Sequence, residues 1–192
     1  MKKILAGAIL TMGAVFTAHA DEAAPFKFLL GAGVTFGGDT LATVHYTDGS
    51  SEDIKGGGLL MLYGGAEYRL GTQVSIQATV GYHVDDTSTR SNGSVRFTRV
   101  PVDLLAFFHV NDKVRLGGGV QWVNGPELKG SGAASGLNAK FDDTTGAVIE
   151  GEYLFSPHAG FKLRYVSEEF KVKGTNTKAD GNHIGLMFNY YF

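Results

Sequence analysis

The stretch GNHIGLMFNYYF, residues 181–192, decides how the rest of the chain is read. Counting back from Phe192, every second position is large and apolar: Tyr190, Phe188, Leu186 and Ile184. Between them stand Tyr191, Asn189, Met187, Gly185 and His183, a mixed set. A period of two belongs to a β-strand with two unlike faces, whereas a helix would repeat every three to four residues.

Moving outward, VSIQATVGYHV at 74–84 repeats the pattern, with Val74, Ile76, Ala78, Val80, Tyr82 and Val84 on one face. The same reading finds eight segments, at 26–36, 57–70, 73–84, 95–110, 114–124, 144–155, 160–172 and 182–192. Each is near or above the roughly 9–11 residues that a tilted strand needs to cross a bilayer. Three connections are tight: GTQ at 71–73, NDK at 111–113 and SPHA at 156–159. The other four, at 37–56, 85–94, 125–143 and 173–181, are long and polar. Short turns at one end and long loops at the other are the mark of a transmembrane barrel; a soluble sandwich has no reason to sort its connections so. Asp48-Gly49 inside the first long loop is a two-residue hairpin signal, which predicts that strands one and two continue outward as a ribbon.

Residues 1–20, MKKILAGAILTMGAVFTAHA, have the parts of a cleaved secretory signal: Lys2 and Lys3, an apolar run, and Ala18-His19-Ala20. The mature domain is then expected at 21–192. Of 17 Lys and Arg, two lie in this leader, leaving 15 against 19 Asp and Glu, a net charge of −4. That balance argues against nucleic acid as a partner. Without cysteine there is no disulfide framework, so packing and backbone pairing must supply the stability. Glycine, 28 of 192 residues, is about twice as common as the usual roughly 7% and falls inside the apolar segments.

A terminal Phe preceded by alternate aromatics resembles the insertion signal by which Gram-negative assembly machinery recognises a barrel's last strand, here Phe188, Tyr190 and Phe192. The whole mature chain resembles the small eight-stranded outer-membrane barrels of the OmpX and OmpA type. That resemblance implies an all-β fold: an eight-stranded antiparallel up-and-down transmembrane β-barrel in the cell outer membrane, with short periplasmic turns, long extracellular loops and both termini periplasmic. It further implies a monomer without cofactor. The partners it implies are outer-membrane lipid and lipopolysaccharide, with the barrel assembly machinery and periplasmic chaperones during biogenesis.

The alternation also sorts the side chains. Phe28, Leu30, Val34, Leu104, Phe108, Ile149 and Tyr153 are expected to face lipid. An aromatic girdle is expected from Tyr68, Phe155, Phe161 and Tyr190 near the turns and from Phe36, Tyr82 and Trp122 near the loops. Lys27, Glu67, Arg69, Asp103, Arg115, Glu150, Glu152, Lys162 and Arg164 are expected to project into the lumen as an ion network. A consistent register sets Glu152 opposite Lys162 and Glu150 opposite Arg164. Inward glycines such as Gly31, Gly65 and Gly117 are expected to make room for the long Arg and Lys chains. Pro101, unable to donate a ladder bond, predicts an irregularity.

No nucleophile elbow, phosphate loop or zinc motif is present, so neither catalytic residues nor a metal site is assigned. The glycine-rich KGSGAASGLN reads as a surface loop. His45, His83 and His183 fall in the loop-side half with Asp85, Asp86 and Ser88, but His83 and His183 point inward, away from any lipid substrate. The leading expectation is a non-enzymatic barrel with a charge-filled lumen and interacting loops. The alternatives are a narrow channel for small or hydrophobic solutes and a lipid A acylase or deacylase.

Overall fold

The computed structural model describes residues 25–45, 51–88, 93–132 and 134–192. The expected leader at 1–20 and the Asp48-Gly49 turn lie outside the described residues, as do the side chains of His45 and Ser88. The strands in chain order are β1 (Phe26–Gly37), β2 (Thr40–His45), β3 (Ser51–Lys55), β4 (Leu59–Leu70), β5 (Val74–Ser88), β6 (Gly93–His109) and β7 (Val114–Gly132). After these come β8 (Asn138–Lys140), β9 (Thr144–Ser156), β10 (Ala159–Ser167), β11 (Glu169–Lys171), β12 (Lys178–Asp180) and β13 (His183–Tyr191).

Eight of these, β1, β4, β5, β6, β7, β9, β10 and β13, pair antiparallel in sequence order, and β13 returns to pair with β1. The sheet is therefore a closed up-and-down barrel without a free edge in its wall. Register places like faces together: Leu30, Ala32, Val34 and Phe36 of β1 lie against Tyr190, Phe188, Leu186 and Ile184 of β13. These large apolar side chains are exposed on the outer surface. In hydrocarbon no water can satisfy an open edge, so closure is what lets such a surface be lipid-facing.

The eight segments read from the sequence each correspond to one wall strand, but the ends differ. β5, β6 and β7 run further toward the long-loop end than their apolar stretches, with Asp86 opposite Arg96 and Ser88 opposite Ser94. Both faces turn polar there, so the alternation fades, yet backbone pairing is indifferent to side-chain polarity and continues. The KGSGAASGLN loop is in large part a hairpin, where Leu128 of β7 pairs with Ala139 of β8. The seventh segment stops at Ser167, and Glu169–Lys171 pairs separately with β12.

Around Pro101 the irregularity is of two kinds. The β5–β6 ladder is interrupted between Val80↔Val102 and His83↔Arg99 without a change of register. On the other side, β6 and β7 shift register between Thr98 and Val100. The extra residue lies in β7, at Gly125-Pro126, where Gly125 has φ 57, a left-handed conformation that glycine adopts at little cost.

The first long loop forms a separate β2–β3 ribbon, and it does more than project outward. Its Val44 and Ile54 are buried with Val95, Phe97, Val123, Leu128, Phe141 and Phe170 in one apolar cluster. The connections at 37–56 and 125–143 supply Val44, Ile54, Leu128 and Phe141, and the loop-side ends of the adjoining segments supply the other four. Phe97, Phe141 and Phe170 meet edge-on, with centroids 5.5, 5.5 and 6.1 Å apart. The loops were expected to be polar; instead they share a small hydrophobic core above the lumen.

Phe170→Ala should therefore loosen the crown and spare the wall. Truncating a buried Phe typically costs about 3–5 kcal/mol. Limited proteolysis should cut the long loops of the variant at least tenfold faster, while the barrel keeps its heat-modifiable mobility on gels.

Candidate functional site

Inward positions of the wall strands carry the site. Arg115 of β7 is held between two carboxylates: its Nη1 donates to Glu67 Oε1 and Oε2 at 2.8 and 2.7 Å, and its Nε donates to Glu152 Oε2 at 2.9 Å. Arg115 also meets the Tyr191 hydroxyl, and that hydroxyl donates to Glu152 Oε1 at 2.8 Å. Asn189 Nδ2 donates to the same Oε1 at 3.0 Å.

One layer on, Lys162 Nζ lies 2.8 Å from Glu150 Oε2 and donates to Gln77 Oε1 at 3.0 Å. Lys162 is on β10 and Gln77 on β5, four strands apart either way round, so this contact crosses the full lumen. Gln77 Nε2 in turn donates to Glu67 Oε2 at 3.1 Å, tying the two layers together. Arg164 makes a forked pair with Asp103 at 3.0 and 3.3 Å and lies 3.4 Å from Glu150. Gln121 and Thr79 donate to Asp103 at 2.7 and 3.2 Å. Glu67, Asp103, Arg115, Glu150, Glu152, Lys162 and Arg164 are all buried.

The ion pairs differ from the expected ones. Glu152 does stand opposite Lys162, and Glu150 opposite Arg164, in the β9–β10 register. The salt bridge of Lys162, however, runs to Glu150, and that of Glu152 to Arg115. Long side chains lean along their strands and reach inward, so the nearest opposite charge need not be the residue across the ladder. Lys27 and Arg69 are also inward but sit at the short-turn end, half-buried, and belong to none of these pairs.

Gly31 and Gly117 serve a different neighbour from the one expected, and at Gly65 a Cβ would meet the Ala78 backbone. A Cβ on Gly31 would collide with the Tyr63 ring, and one on Gly117 with the Phe107 ring. The space is taken by aromatics, over which the cations then lie: Arg115 is 4.6 Å from the Phe107 centroid and Lys162 5.1 Å. Tyr63, Tyr191, Phe107, Gln77, Gln121 and Asn189 were absent from the charge-based reading. Their inward alternation was the signal available to find them.

A second cluster lies toward the long-loop end, where Arg99 and Thr35, unassigned from sequence, join the inward His83. Arg99 Nη2 donates to His83 Nε2 at 3.1 Å, and Thr35 Oγ1 lies 2.7 Å from the same nitrogen. An acceptor Nε2 places the proton of neutral His83 on Nδ1. Arg99 packs over Phe97 and Phe170, 5.0 and 5.7 Å from their centroids, so it joins the lumen to the loop core. His83 and His183 are 1% and 2% exposed, with rings 5.3 Å apart. Asp85 and Asp86, grouped with them by sequence, go elsewhere: Asp85 accepts from the Lys55 backbone N–H, and Asp86 pairs with Arg96 on the surface.

The expected girdle residues Phe36, Tyr68, Tyr82, Trp122, Phe155, Phe161 and Tyr190 are all exposed on the outer face. So are Phe188 and Phe192 of the expected assembly signal, with the Tyr190 and Phe192 rings 5.0 Å apart. Among the described residues no group of three or more His, Cys, Asp or Glu could hold a metal ion.

Glu168, just beyond the end of β10, is buried with both carboxylate oxygens lacking a hydrogen bond. Burial pushes its pKa up to about 7, against an opposing pull from Arg99 and Arg164. A raised acid holds a proton in the folded chain that the unfolded chain releases, so its stabilising contribution is full below the ordinary 4.5 and is lost as pH rises through about 7. The thermal midpoint of the wild type relative to Glu168→Gln should fall between pH 5 and pH 8. Parallel curves for the two proteins in circular dichroism melts would contradict this assignment.

The fold is shared with known proteins. Ail, the attachment invasion locus protein of Yersinia pestis solved with the heparin analogue sucrose octasulfate, superposes with a TM-score of 0.53 at 13% identity, covering 87% of this chain and 97% of Ail. Neisserial surface protein A superposes with a TM-score of 0.52 at 11% identity, covering 90% of this chain and all of that one. At these identities the likeness is one of fold. No curated protein sequence matches the chain. The family model described as "Outer membrane protein beta-barrel domain" matches residues 7–192, and the chain belongs to that outer-membrane β-barrel family.

Proposed function

We propose that this outer-membrane barrel is a sealed, non-enzymatic scaffold that displays its long-loop crown for interaction at the cell surface. In this reading residues 1–20 are removed on export, the short turns and both termini face the periplasm, and lipid and lipopolysaccharide surround the wall. The observation that carries it is the lumen. Seven buried charged side chains bridge it from wall to wall, and the aromatic core built by the loops lies above them. An eight-stranded barrel is about wide enough for side chains to fill. Charges neutralised by one another in such a space act as packing.

The buried state of His83 and His183 supports the non-enzymatic reading, since a base acting on lipid would have to reach the outer face. The crown supports the scaffold reading: a shared apolar core holds the loop backbones in one arrangement, which lowers the ordering cost of binding a partner.

Single-channel recording in planar bilayers tests this. The wild type should show no steady conductance. Arg164→Ala removes the one cation paired with Asp103 and leaves that buried carboxylate with neutral donors alone, while Glu150 keeps Lys162; breaking such a buried pair typically costs about 3–5 kcal/mol. That variant should melt at lower temperature and open intermittently. Exchanging Lys162 and Glu150 together for Met and Gln should be far milder, because no charge is left alone. Large, stable wild-type openings would establish a channel instead, and a gene-dependent change in lipid A mass would establish an enzyme.

A further inference from the structure

The short-turn end of the lumen opens into a cavity of about 390 Å3, whose floor is the paired Glu67 and Arg115 of the network and whose other charges the network does not use. Lys27 of β1, Arg69 of β4 and Lys113 of the turn after β6 line it, on three separate parts of the wall. None of the three takes part in an ion pair among the described residues. Two acids also line the cavity, Glu67 and Asp112. Glu67 is already committed: Arg115 occupies both of its oxygens at 2.8 and 2.7 Å, and Gln77 donates at 3.1 Å. Asp112 alone faces three cations.

Arg69 is also held in position. Its Nη2 donates to the Thr72 carbonyl at 3.3 Å and to His109 Nδ1 at 3.3 Å. Because Nδ1 accepts, the proton of His109 is on Nε2, which donates to Ser75 Oγ at 2.9 Å. The guanidinium is thus steadied along one edge by a backbone carbonyl and a neutral imidazole. Its Nε remains buried without any partner. That nitrogen is closed to solvent, so Arg69 meets the cavity through the rest of its fixed guanidinium, and such a charge sharing one cavity with two ammonium groups matches a tetrahedral oxyanion with several acceptor oxygens.

We propose that this vestibule binds a phosphate-bearing anion, with Arg69 as the oriented fork and Lys27 and Lys113 as the flanking charges. The volume lies in the range of pockets that take small ligands. The same chemistry has two sources at this end of a membrane barrel: a soluble phosphate compound, or the headgroup of an anionic phospholipid at the rim. The inference does not depend on which compartment the short turns face, nor on the sealed-scaffold reading.

Two measurements on the full folded barrel test it, each variant being used only as heat-modifiable folded protein. In neutral detergent at constant ionic strength, titration calorimetry follows inorganic pyrophosphate. In phosphatidylcholine vesicles with or without phosphatidylglycerol, mass spectrometry follows the rate at which an amine reagent modifies Lys27 and Lys113. A soluble source gives saturable pyrophosphate binding, weakened at least tenfold in Arg69→Gln and in the double variant Lys27→Gln with Lys113→Gln. Arg69→Lys should keep part of it, and Lys129→Gln, on the long-loop hairpin, all of it. A headgroup source gives instead at least fivefold slower labelling of both lysines when phosphatidylglycerol is present, an effect lost in Arg69→Gln for the lysine labelling that remains. No response in either measurement, or equal responses from wild type and all variants, overturns the proposal.

Discussion

Everything in this molecule follows from the need to pair backbone groups where no water can reach them. A wall strand in hydrocarbon must give every N–H and C=O a partner on a neighbouring strand, and only a sheet whose last strand meets its first has no edge left over. Here β13 meets β1 from Leu29↔Tyr191 to Gly37↔His183, and that pairing is what makes the outer row of Leu, Val, Ile and Phe tolerable. Closure at eight strands then fixes the bore. With the bore fixed, the inner side chains have to fill it.

The filling is polar because the outer face has claimed the large apolar residues. Where alternation sets a charged residue beside a lipid-facing one it points inward, among buried residues such as Leu105, Phe107 and Val148, and its desolvation must be offset at close range. The offset is achieved by multiplicity. Arg115 takes two carboxylates, Glu152 takes Arg115, Asn189 and Tyr191, and Asp103 takes Arg164, Gln121 and Thr79. Aromatic rings beneath Arg115 and Lys162 add contact that a water-filled bore would not offer, and glycines at Gly31 and Gly117 leave the space those rings need. Charge, ring and glycine are therefore one packing solution.

The long-loop end solves a separate problem. Loops that leave a barrel have no membrane to order them, and here they are ordered by pooling apolar residues: two from β2 and β3, two from β6, two from β7, then Phe141 and Phe170. Arg99 connects this core to the lumen, since its guanidinium lies against Phe97 and Phe170 while one nitrogen donates to His83. The two ends of the bore consequently differ in character. One carries rings packed around a buried cation, the other opens onto cations with few partners.

The sequence by itself determined the class, the strand number, the sorting of short and long connections, and which residues face in. These follow from a strict period of two, and a one-residue slip would turn every face over, so the pattern at Val74 to Val84 admits a single reading. It also fixed which residues oppose one another across β9 and β10. What only the tertiary structure decided is who bonds whom. Lys162 reaches Glu150 and Gln77, and Arg115 reaches Glu67 three strands away, because side-chain length and lean in a closed bore are not written in ladder order. The loop core was hidden for a related reason. Val44, Ile54, Leu128 and Phe141 come from two loops without a wall strand's register, and they join Val95, Phe97, Val123 and Phe170 as a core only when closure of the barrel brings distant segments over one opening.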